Sequence, residues 1–536
     1  MDLAPVIKKL IAANLETPDD LARFKRWVAK KFSLTLPSHH TLLQAYRQFI
    51  HQQGRPEDPV IIALLRRRKI RTLSGVAVIT VLTKPYPCPG QCIYCPAEAR
   101  MPKSYLASEP AAQRALSHHF DPFRQVQARL RTLQANGHPT DKIELIILGG
   151  TWSAYLKRYQ AWFVKRCFDA ANEKNEPSLA DAQKRNEKTD NRIIGLTIET
   201  RPDFVTAEEI VRLRELGVTR VQIGVQTTDE KILKYIKRGH DLATVSRATA
   251  LLRNAGFKIN YHLMPGLPGA TPAKDVRVFR RVFTDERFKP DYLKLYPTVV
   301  LKHSPLYRLW QRKKYRPYTE KQLLSLIPKL KALVPRWVRL ERLVRDIPGP
   351  DIAAGSTVTN LRQVLHERGV VCHCIRCREA RAAQANSTQA KLWTEKYSAA
   401  GGTEYFISFE DRARKRLYAF IRLRLPDVPC AGGDAQLRLH KPLPVLRGAA
   451  LIRELHTYGQ MLPLRRGHER AVQHLGFGKR LMREAENLAK EHGYKRIAVI
   501  SGIGVRGYYR KLGYRLQETY MVKNIRLPDS SRRIPK

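Results

Sequence analysis

The sequence of 536 residues lacks any long apolar run, and its first residues lead us to expect no secretory leader. No apolar stretch reaches the roughly 18 residues that a membrane-spanning helix requires. The N-terminal stretch MDLAPVIKKLIAANLE has neither the apolar core nor the small-residue cleavage site of a signal peptide. We therefore expect no membrane anchor and a cytoplasmic location.

Acidic residues are also scarce. The chain has 97 Lys and Arg but 48 Asp and Glu, which gives a formal net charge of +49. A surplus of this size opposes compaction unless a polyanion shares the surface. DNA, RNA and an anionic membrane all satisfy that condition. The hydrophobic fraction of 43% is ordinary for a globular protein, and the length predicts roughly two to four domains.

Cysteine is infrequent, and its distribution is uneven. Of the eight cysteines, six form two tight groups, Cys88/Cys92/Cys95 and Cys372/Cys374/Cys377. In a large intracellular chain, clustered cysteines bind metal more often than they form disulfides. Cys167 and Cys430 stand alone, and we interpret both as plain thiols.

The pattern predicts four regions, with limits at 1–75, 76–345, 346–395 and 396–536. The first region reads as helical and basic, and it ends in the stretch LLRRRKIRTLSG. Together with the whole-chain charge, this run predicts nucleic-acid contacts from Arg66, Arg67, Arg68, Lys69 and Arg71. The alternative is a solvated charged face.

Short apolar runs alternate with helical stretches from Val76 onward. We predict strands at 76–83, 143–150, 193–200, 221–226, 258–264 and 292–297, and a polar loop insertion at 175–190. Apolar strands alternating with helices indicate a parallel β/α sheet. Six such units favour an α/β fold with a partial (β/α)6 barrel, whose chemistry lies at the carboxyl ends of the strands.

The last region has a different pattern, typical of an α+β domain. The stretches TEYFISFED and RLYAFIRLRL predict a hairpin, followed by a strand at 449–456, a helix at 479–492 and a strand at 496–500. Before the helix, the glycines of Gln473-x-x-Gly476-x-Gly478 would let backbone N–H groups approach a pyrophosphate. Tyr508 and Tyr509 follow in GYYRKLGY, with core packing as the alternative role for each.

The stretch YPCPGQCIYCP spaces three cysteines as C-x3-C-x2-C directly after the first predicted strand. A structural zinc site takes four protein ligands, usually as two separated pairs. A 4Fe–4S cluster held by three thiolates leaves one iron open. We favour the cluster, with zinc and unliganded thiols as the alternatives.

This cysteine loop resembles that of the radical S-adenosylmethionine (SAM) enzymes. The resemblance implies a 4Fe–4S cluster on Cys88, Cys92 and Cys95, whose open iron chelates SAM. It also implies SAM contacts from four residues that follow later strands, Gly149, Gly150, Thr151 and Glu199. Thr151 departs from the wider superfamily, which usually has Glu there.

The glycine motif of the last region resembles motif A of the GNAT acetyltransferases, which bind acetyl-coenzyme A (acetyl-CoA). The two motifs in one chain resemble the catalytic subunit of Elongator, the tRNA wobble-uridine modification enzyme, in its compact prokaryotic-type form. Supporting stretches are RKIRTLSGVAVITVLTKPYPCPGQCIYCP, IETRPDFVTAEEI, AGFKINYHLMPGLPG, VCHCIRCRE, RELHTYG and IAVISGIGVRGYYRKLGY. The resemblance covers nearly the whole chain from Arg66 onward.

The resemblance implies a reaction in which a SAM-derived 5′-deoxyadenosyl radical abstracts hydrogen from the acetyl methyl group. The carbon radical adds to C5 of the wobble uridine, and thioester hydrolysis leaves a carboxymethyl group. It implies acetyl-CoA contacts from Lys142, Glu454, Leu455, His456, Thr457, Gln473, Gly476, Phe477, Gly478, Lys479 and Tyr509. Tyr509, Tyr508, Lys142 and His456 are the candidate catalytic residues. Lys142 could instead be a surface lysine, and His456 a structural one.

The resemblance also implies zinc on Cys372, Cys374 and Cys377, stapling the linker between the catalytic domains, with His373 or His366 as a candidate fourth ligand. The expected partners are a tRNA anticodon stem-loop, an electron donor, and either Elongator-type subunits or a second copy of the chain. The competing hypothesis is a protein lysine acetyltransferase whose radical-SAM domain is only structural.

Overall fold

The computed structural model describes residues 3–32, 35–66, 75–380, 389–427, 443–458 and 476–525. Its helices are α1 (Ala4–Ala12), α2 (Pro18–Lys31), α3 (His39–Gln52), α4 (Pro59–Leu65), α5 (Pro110–Ser117), α6 (Pro122–Ala135), α7 (Lys157–Asn172), α8 (Leu179–Asn186), α9 (Ala207–Glu215), α10 (Glu230–Tyr235), α11 (Leu242–Asn254), α12 (Pro272–Thr284), α13 (Pro305–Gln311), α14 (Glu320–Ala332), α15 (Leu361–Glu367), α16 (Ile375–Arg378), α17 (Phe477–Glu491) and α18 (Arg506–Arg510). Within the described ranges, none of these helices is long and apolar enough to cross a membrane.

The strands fall into two large sheets and one small one. They are β1 (Ala77–Leu82), β2 (Lys142–Leu148), β3 (Arg192–Thr200), β4 (Arg220–Gln226), β5 (Lys258–Leu263), β6 (Tyr292–Leu295), β7 (Val300–Leu301), β8 (Arg339–Arg342), β9 (Ile352–Ala354), β10 (Lys391–Ser398), β11 (Gly402–Glu410), β12 (Leu417–Pro426), β13 (Ala449–Thr457), β14 (Arg496–Val499), β15 (Arg515–Gln517) and β16 (Tyr520–Asn524). β7 and β9 pair only with each other.

The first large sheet has the order β1-β2-β3-β4-β5-β6-β8, and every neighbouring pair is parallel. The six predicted strands are confirmed, and so is the partial barrel. The seventh strand, β8, was missed because its sequence RLER carries charge instead of an apolar run. We call the inward face of this sheet the lumen; Arg220 and Glu341 meet there at 2.7 Å.

The second large sheet has the order β10-β11-β12-β13-β14-β16-β15, in which β13 and β14 are parallel and the other pairs antiparallel. The predicted hairpin is β11–β12, and the predicted helix is α17. Between β12 and β13 the register shifts so that Arg422 faces Glu454 and Leu423 faces Ile452. Arg453 is therefore an extra residue in β13, and such a bulge re-aims the neighbouring side chains.

The two sheets belong to one folding unit. A single apolar core runs from Ile259 on β5 to Val522 on β16. The second sheet packs against the amino-terminal edge of the first: Tyr520 Oη donates to the carbonyl of Ala255 at 2.8 Å, and Arg453 Nη1 donates to that of Phe257 at 2.8 Å. A Cβ on Gly502 would lie 2.0 Å from the Ile194 carbonyl oxygen, so the two backbones touch there.

The N-terminal helices α1–α4 pack around their own apolar cluster, which confirms the predicted helical character of this region. The segment 175–190 was predicted to be a polar loop, and this was wrong, because it contains α8. Ser178 Oγ caps this helix by accepting from the Asp181 N–H at 3.1 Å. Its buried face includes Gln183 and Asn186, whose polarity hid the helix from an apolar pattern.

Candidate active site

The cysteine loop follows β1 at the carboxyl-terminal edge of the first sheet. Cys88 Sγ lies 3.6 Å from Thr151 Oγ1, and Cys92 Sγ accepts from Arg238 Nη1 at 3.3 Å. Burial opposes ionisation of Cys92, yet the Arg238 charge and hydrogen bond lower its pKa. Burial and the neighbouring Cys92 raise the pKa of Cys95 to about 12. An electrophilic metal centre would be the natural stabiliser of a second thiolate here.

The glycine pair after β2 lies beside this loop. The Gly149 and Gly150 N–H groups donate to Glu199 Oε1 at 3.1 and 2.8 Å, and Tyr105 Oη donates to the same oxygen at 2.5 Å. A Cβ on Gly149 would lie 1.8 Å from Thr83 Oγ1, so no other residue fits there unless the Thr83 side chain, directly after β1, moves. The predicted SAM-binding residues Gly149, Gly150, Thr151 and Glu199 therefore converge, and Glu199 holds the glycine turn in place.

A cavity of about 530 Å³, the lumen cavity, joins the cysteine loop to the lumen; its lining includes Cys88, Cys92, Cys95, Glu199, Gln222 and Lys294. Arg201 forms a two-pronged ion pair with Asp203 through Nε and Nη2, at 2.9 Å each. Its Nη1 is buried with no hydrogen-bond partner among the described residues. A Cβ at position 90 would lie 2.3 Å from that nitrogen, so glycine there leaves room for the Arg201 guanidinium beside the cysteine loop. Three thiols beside a guanidinium nitrogen that still has protons to donate suit an anionic iron–sulfur cluster and the carboxylate of SAM.

Charged side chains fill the middle of the lumen. Arg220 binds Glu144 at 2.6 Å and Glu341 at 2.7 Å. Burial of Glu341 opposes its ionisation, but the charges of Arg220 and Lys294 outweigh this effect and lower the pKa of Glu341 to about 2. Lys294 Nζ donates to Gln222 Oε1 at 2.6 Å, and burial lowers the pKa of its ammonium group to about 8. The sequence reasoning missed these residues; a lysine inside the apolar strand YLKLYP was the available signal.

β13 contacts the first sheet on one side and the start of α17 on the other. Glu454 accepts from Tyr292 Oη at the amino-terminal end of the lumen and from Arg422 Nε at 2.9 Å. His456, two residues along, has its ring centroid 4.3 Å from that of Tyr458. Lys142 begins β2 at the same edge of the first sheet; it is half-buried, and burial lowers its pKa.

The opposite side of β13 faces the start of α17. Gly476 precedes that helix with φ 70°, a left-handed conformation that glycine adopts freely. A Cβ on Gly478 would lie 3.0 Å from Tyr508 Oη, 3.9 Å from Thr457 Oγ1 and 4.0 Å from Leu455 Cδ2. The helix N-terminus, with its free N–H groups, therefore opens onto Tyr508, Thr457 and Leu455, an arrangement suited to a phosphate-bearing ligand.

The remaining predicted acetyl-CoA residues differ in exposure. Phe477 is buried and stacks on Phe409 with ring centroids 4.5 Å apart, whereas Lys479 is exposed in the first turn of α17. Tyr509 is 6% exposed and packs 6.0 Å from Tyr514 in the core, whereas the hydroxyl of Tyr508 lies beside Gly478 of α17. Gln473 lies outside the described residues.

The second cysteine group forms a compact site beside β8. The sulfurs of Cys372, Cys374 and Cys377 all lie within 4.8 Å of one another, and in the described ranges no other group of three His, Cys, Asp or Glu ligands is this close. One zinc ion with Zn–S bonds of about 2.3 Å fits such a trio. Hydrogen bonds from the Cys372 and Cys377 thiols lower the pKa of Cys374 well below its usual value. His366 and His373 lie outside this group.

Of the predicted tRNA-binding residues, only Arg66 lies in the described ranges. Its Nε donates to the Gly137 carbonyl at 2.8 Å, and burial lowers its pKa, so part of this side chain joins the N-terminal helices to α6. Arg67, Arg68, Lys69 and Arg71 lie outside the described residues, as does Cys430.

Comparison with known proteins gives consistent matches in both halves of the chain. Residues 86–282 match the Radical SAM superfamily, 290–369 the Radical SAM C-terminal domain and 468–514 the GNAT acetyltransferase family. The chain is 46% identical to the tRNA uridine(34) acetyltransferase of Dehalococcoides mccartyi, over 85% of this chain and 99% of that protein. It is 36% identical to Elongator complex protein 3 of Homo sapiens, over 98% of this chain and 97% of that protein.

A solved structure agrees with these matches. The archaeal Elp3 of Methanocaldococcus infernus, with residues 1–46 deleted, superposes with a TM-score of 0.71 at 41% identity, over 84% of this chain and 99% of that one. The fold and site thus define an enzyme that joins a radical SAM half-barrel to a GNAT domain, and such domains imply an iron–sulfur cluster, SAM and acetyl-CoA. The chain belongs to the family of tRNA uridine(34) acetyltransferases and Elongator complex protein 3.

Proposed function

We propose that the protein is a tRNA uridine(34) acetyltransferase that places a carboxymethyl group on C5 of the wobble uridine. The observation that carries this proposal is β13, which lies between the lumen and the cleft at α17: Glu454 bonds Tyr292 of the lumen, while Thr457 lies beside Gly478. When bound, the cluster and SAM would supply a 5′-deoxyadenosyl radical able to take a hydrogen atom from the acetyl methyl group. One wall serving two cofactor sites suits a reaction that needs both.

The chain's own residues take the following roles in this proposal. Backbone N–H groups at Gly476, Phe477, Gly478 and Lys479 bind the coenzyme A pyrophosphate. Tyr508, with Tyr509 behind it, offers a proton to the departing thiolate, since its hydroxyl lies beside Gly478. Lys142 and His456 hold the acyl end near the edge of the lumen. Cys88, Cys92 and Cys95 hold the cluster, and Gly149, Gly150, Thr151 and Glu199 contact SAM.

Zinc on Cys372, Cys374 and Cys377 is part of the proposal as a structural staple. Cys374 directly precedes α16, and the Ile375 N–H donates to the Val338 carbonyl at 2.9 Å, so a metal here would tie the linker to β8. The domain limits 1–75, 76–345, 346–395 and 396–536 are likewise proposed.

The net charge of +49 supports tRNA as the acceptor, with the basic run from Arg66 to Arg71 as a proposed contact. A wobble base must leave its stack to be attacked, which favours a cavity with aromatic or Arg side chains on which the base can stack. A tRNA substrate in turn supports a cytoplasmic location. An external electron donor must reduce the cluster, and partner subunits or a second copy of the chain remain part of the proposal.

The test combines purified protein, reduced cluster, SAM, acetyl-CoA and a tRNA with uridine at position 34. We expect tRNA-stimulated acetyl-CoA hydrolysis and a carboxymethylated wobble nucleoside by mass spectrometry. Cys92→Ala should abolish SAM cleavage and the new nucleoside but retain acetyl-CoA binding. Acetylation of a lysine-rich peptide, with no new nucleoside and no stimulation by tRNA, would instead establish a protein lysine acetyltransferase.

A further inference from the structure

The side-chain amide of Gln222 has a fixed orientation in the lumen. Lys294 Nζ, which has only protons to donate, lies 2.6 Å from Gln222 Oε1, and His262 Nε2 lies 2.9 Å from the same oxygen. Burial keeps His262 neutral by lowering its pKa well below the usual value. Because Oε1 is the acceptor for both neighbours, His262 carries its proton on Nε2 and the Gln222 amide nitrogen faces elsewhere.

That amide nitrogen is a buried donor without a protein partner. Gln222 is 0% exposed, and its Nε2 has no hydrogen-bond acceptor among the described residues. Gln222 and Lys294 both line the lumen cavity, so a ligand in that cavity can reach them. Buried polar groups are almost always paired, so an unpaired donor that lines a cavity requires a partner such as a water, an ion or a ligand.

The charge around this donor pair is already balanced. Arg220 binds Glu144 at 2.6 Å and Glu341 at 2.7 Å, while Lys294 Nζ lies 3.9 Å from Glu341 Oε2. Arg342 and Glu199 also act on Lys294, and Arg342 is itself paired with Asp346 at 2.7 Å, so the cations here already face carboxylates. A further carboxylate would leave an excess negative charge in a desolvated site, whereas a neutral carbonyl oxygen accepts two hydrogen bonds without that cost.

We propose that Lys294 and Gln222 bind the carbonyl oxygen of the acyl thioester inside the lumen cavity. His262 is a positioning residue, because it holds the Gln222 amide in its donating orientation. This inference rests on the proposed function, in which acetyl-CoA and the radical domain act in one reaction. It adds an acyl-binding pair to a domain in which Lys142 was the residue expected to contact acetyl-CoA.

The position of the pair fits such a role. Gln222 lies two residues beyond Arg220 on β4, roughly 7 Å farther along the strand from the edge where Glu454 of β13 contacts Tyr292. The cysteines line the other end of the same cavity. A carbonyl oxygen bound here would lie between the acetyl-CoA side and the cluster side of the lumen.

The test uses a non-hydrolysable acetyl-CoA analogue, in which a 13C-labelled ketone replaces the thioester, bound to the full-length holoprotein. Isotope-edited infrared spectroscopy should show its carbonyl stretch shifted to lower frequency. Lys294→Met and Gln222→Leu should return the stretch toward the free value while the analogue still binds through its coenzyme A portion. Lys231→Met, an exposed lysine of α10, is the matched control and should leave the shift unchanged.

Turnover separates this inference from the proposed function. Lys294→Met should lower the yield of modified nucleoside on the order of 100-fold, as loss of one oxyanion-type donor does, without lowering analogue affinity. Modified nucleoside from the wild type with an unshifted carbonyl would overturn the inference alone. Binding of 13C-acetate that depends on Lys294, with no effect of Lys294→Met on the ketone, would overturn it in favour of a carboxylate site. A wild type that forms no modified nucleoside would overturn the proposed function and this inference with it.

Discussion

Arg453 on β13 and Asp291, the residue before β6, form a two-pronged ion pair that joins the two halves of the protein. Nη1 lies 2.9 Å from Oδ2 and Nη2 lies 2.5 Å from Oδ1, and neither side chain is exposed. Arg253 and Arg422 share the same carboxylate at 3.7 and 3.5 Å. Burial opposes ionisation of Asp291, but the three arginines hold its pKa below the usual value.

Replacing Asp291 should therefore loosen the junction between the sheets. Asp291→Asn keeps the shape but leaves three buried guanidinium groups short of one negative charge, and we expect a loss of about 3–5 kcal/mol. The apparent midpoint of urea unfolding measures it. Asp285→Asn removes a carboxylate whose partners Arg281 and Arg287 are 43% and 53% exposed, and should cost less than about 1 kcal/mol. Equal losses in the two variants would contradict this account.

Metal content should separate the two cysteine groups. Cys92→Ala should lower bound iron and leave zinc unchanged, whereas Cys374→Ala should do the reverse, because each variant removes a ligand from a different site. Cys167→Ala is the control: this thiol is fully buried in the core between α7 and the first sheet, and both metals should remain. Elemental analysis of anaerobically purified protein is the measurement. Loss of both metals from either cysteine variant would argue against two independent sites.

Gly478 at the start of α17 should be intolerant of a methyl group, whereas Gly507 of α18 should accept one. Gly478→Ala places a carbon 3.0 Å from Tyr508 Oη at the proposed pyrophosphate site, whereas Gly507→Ala meets nothing within 4 Å. We expect the first to raise the acetyl-CoA dissociation constant by roughly ten-fold, equivalent to about 1.4 kcal/mol. Calorimetric titration gives both constants. A Gly507→Ala variant that binds equally weakly would show that the effect is not local.

Lys294 should make stability and carbonyl binding respond oppositely to pH. Its pKa is about 10.5 in an unfolded chain and about 8 when buried. Between those values the unfolded state binds more protons, so the stability of the wild type relative to Lys294→Met should rise with pH. The infrared shift of the bound carbonyl should instead fade as pH rises through about 8, since the neutral amine is a weaker donor. A shift that persists at pH 10 would contradict an ammonium ligand.

Much of this architecture could be predicted from the apolar strands in the sequence. IELIILGG and KINYHLM were recognisable because strands covered by helices keep one apolar face. β8 was not predicted because Glu341 faces a charged lumen, where it pairs with Arg220, more than a hundred residues away. Its pairing with β6 defines it as a strand. β10 was not predicted from the sequence for a related reason. Alternate residues of KLWTEKYS are exposed, and it is the pairing with β11 that defines this strand.

The candidate sites likewise contain residues that local sequence motifs predict and residues that only the fold brings together. Cysteine spacing and glycine motifs are local signals, so Cys88 and Gly478 could be predicted from the chain. Lys294 and Gln222 come from different strands, and their proposed role depends on the hydrogen bond from Lys294 Nζ to Gln222 Oε1, which only the folded structure reveals. The orientation of the tyrosine pair depends on how α18 packs. For that reason the sequence could not tell whether the hydroxyl of Tyr508 or of Tyr509 reaches α17.

The continuous core across the two sheets has an evolutionary consequence. Gly502 touches the backbone of β3, and the charge of Arg453 is neutralised by Asp291. Each half therefore has a contact surface that is not suited to solvent when the other half is absent. A gene split between them would produce two fragments with buried charge exposed and apolar faces uncovered. The fusion is therefore hard to reverse by recombination, and homologous chains should vary at their ends and loops long before they vary in domain order.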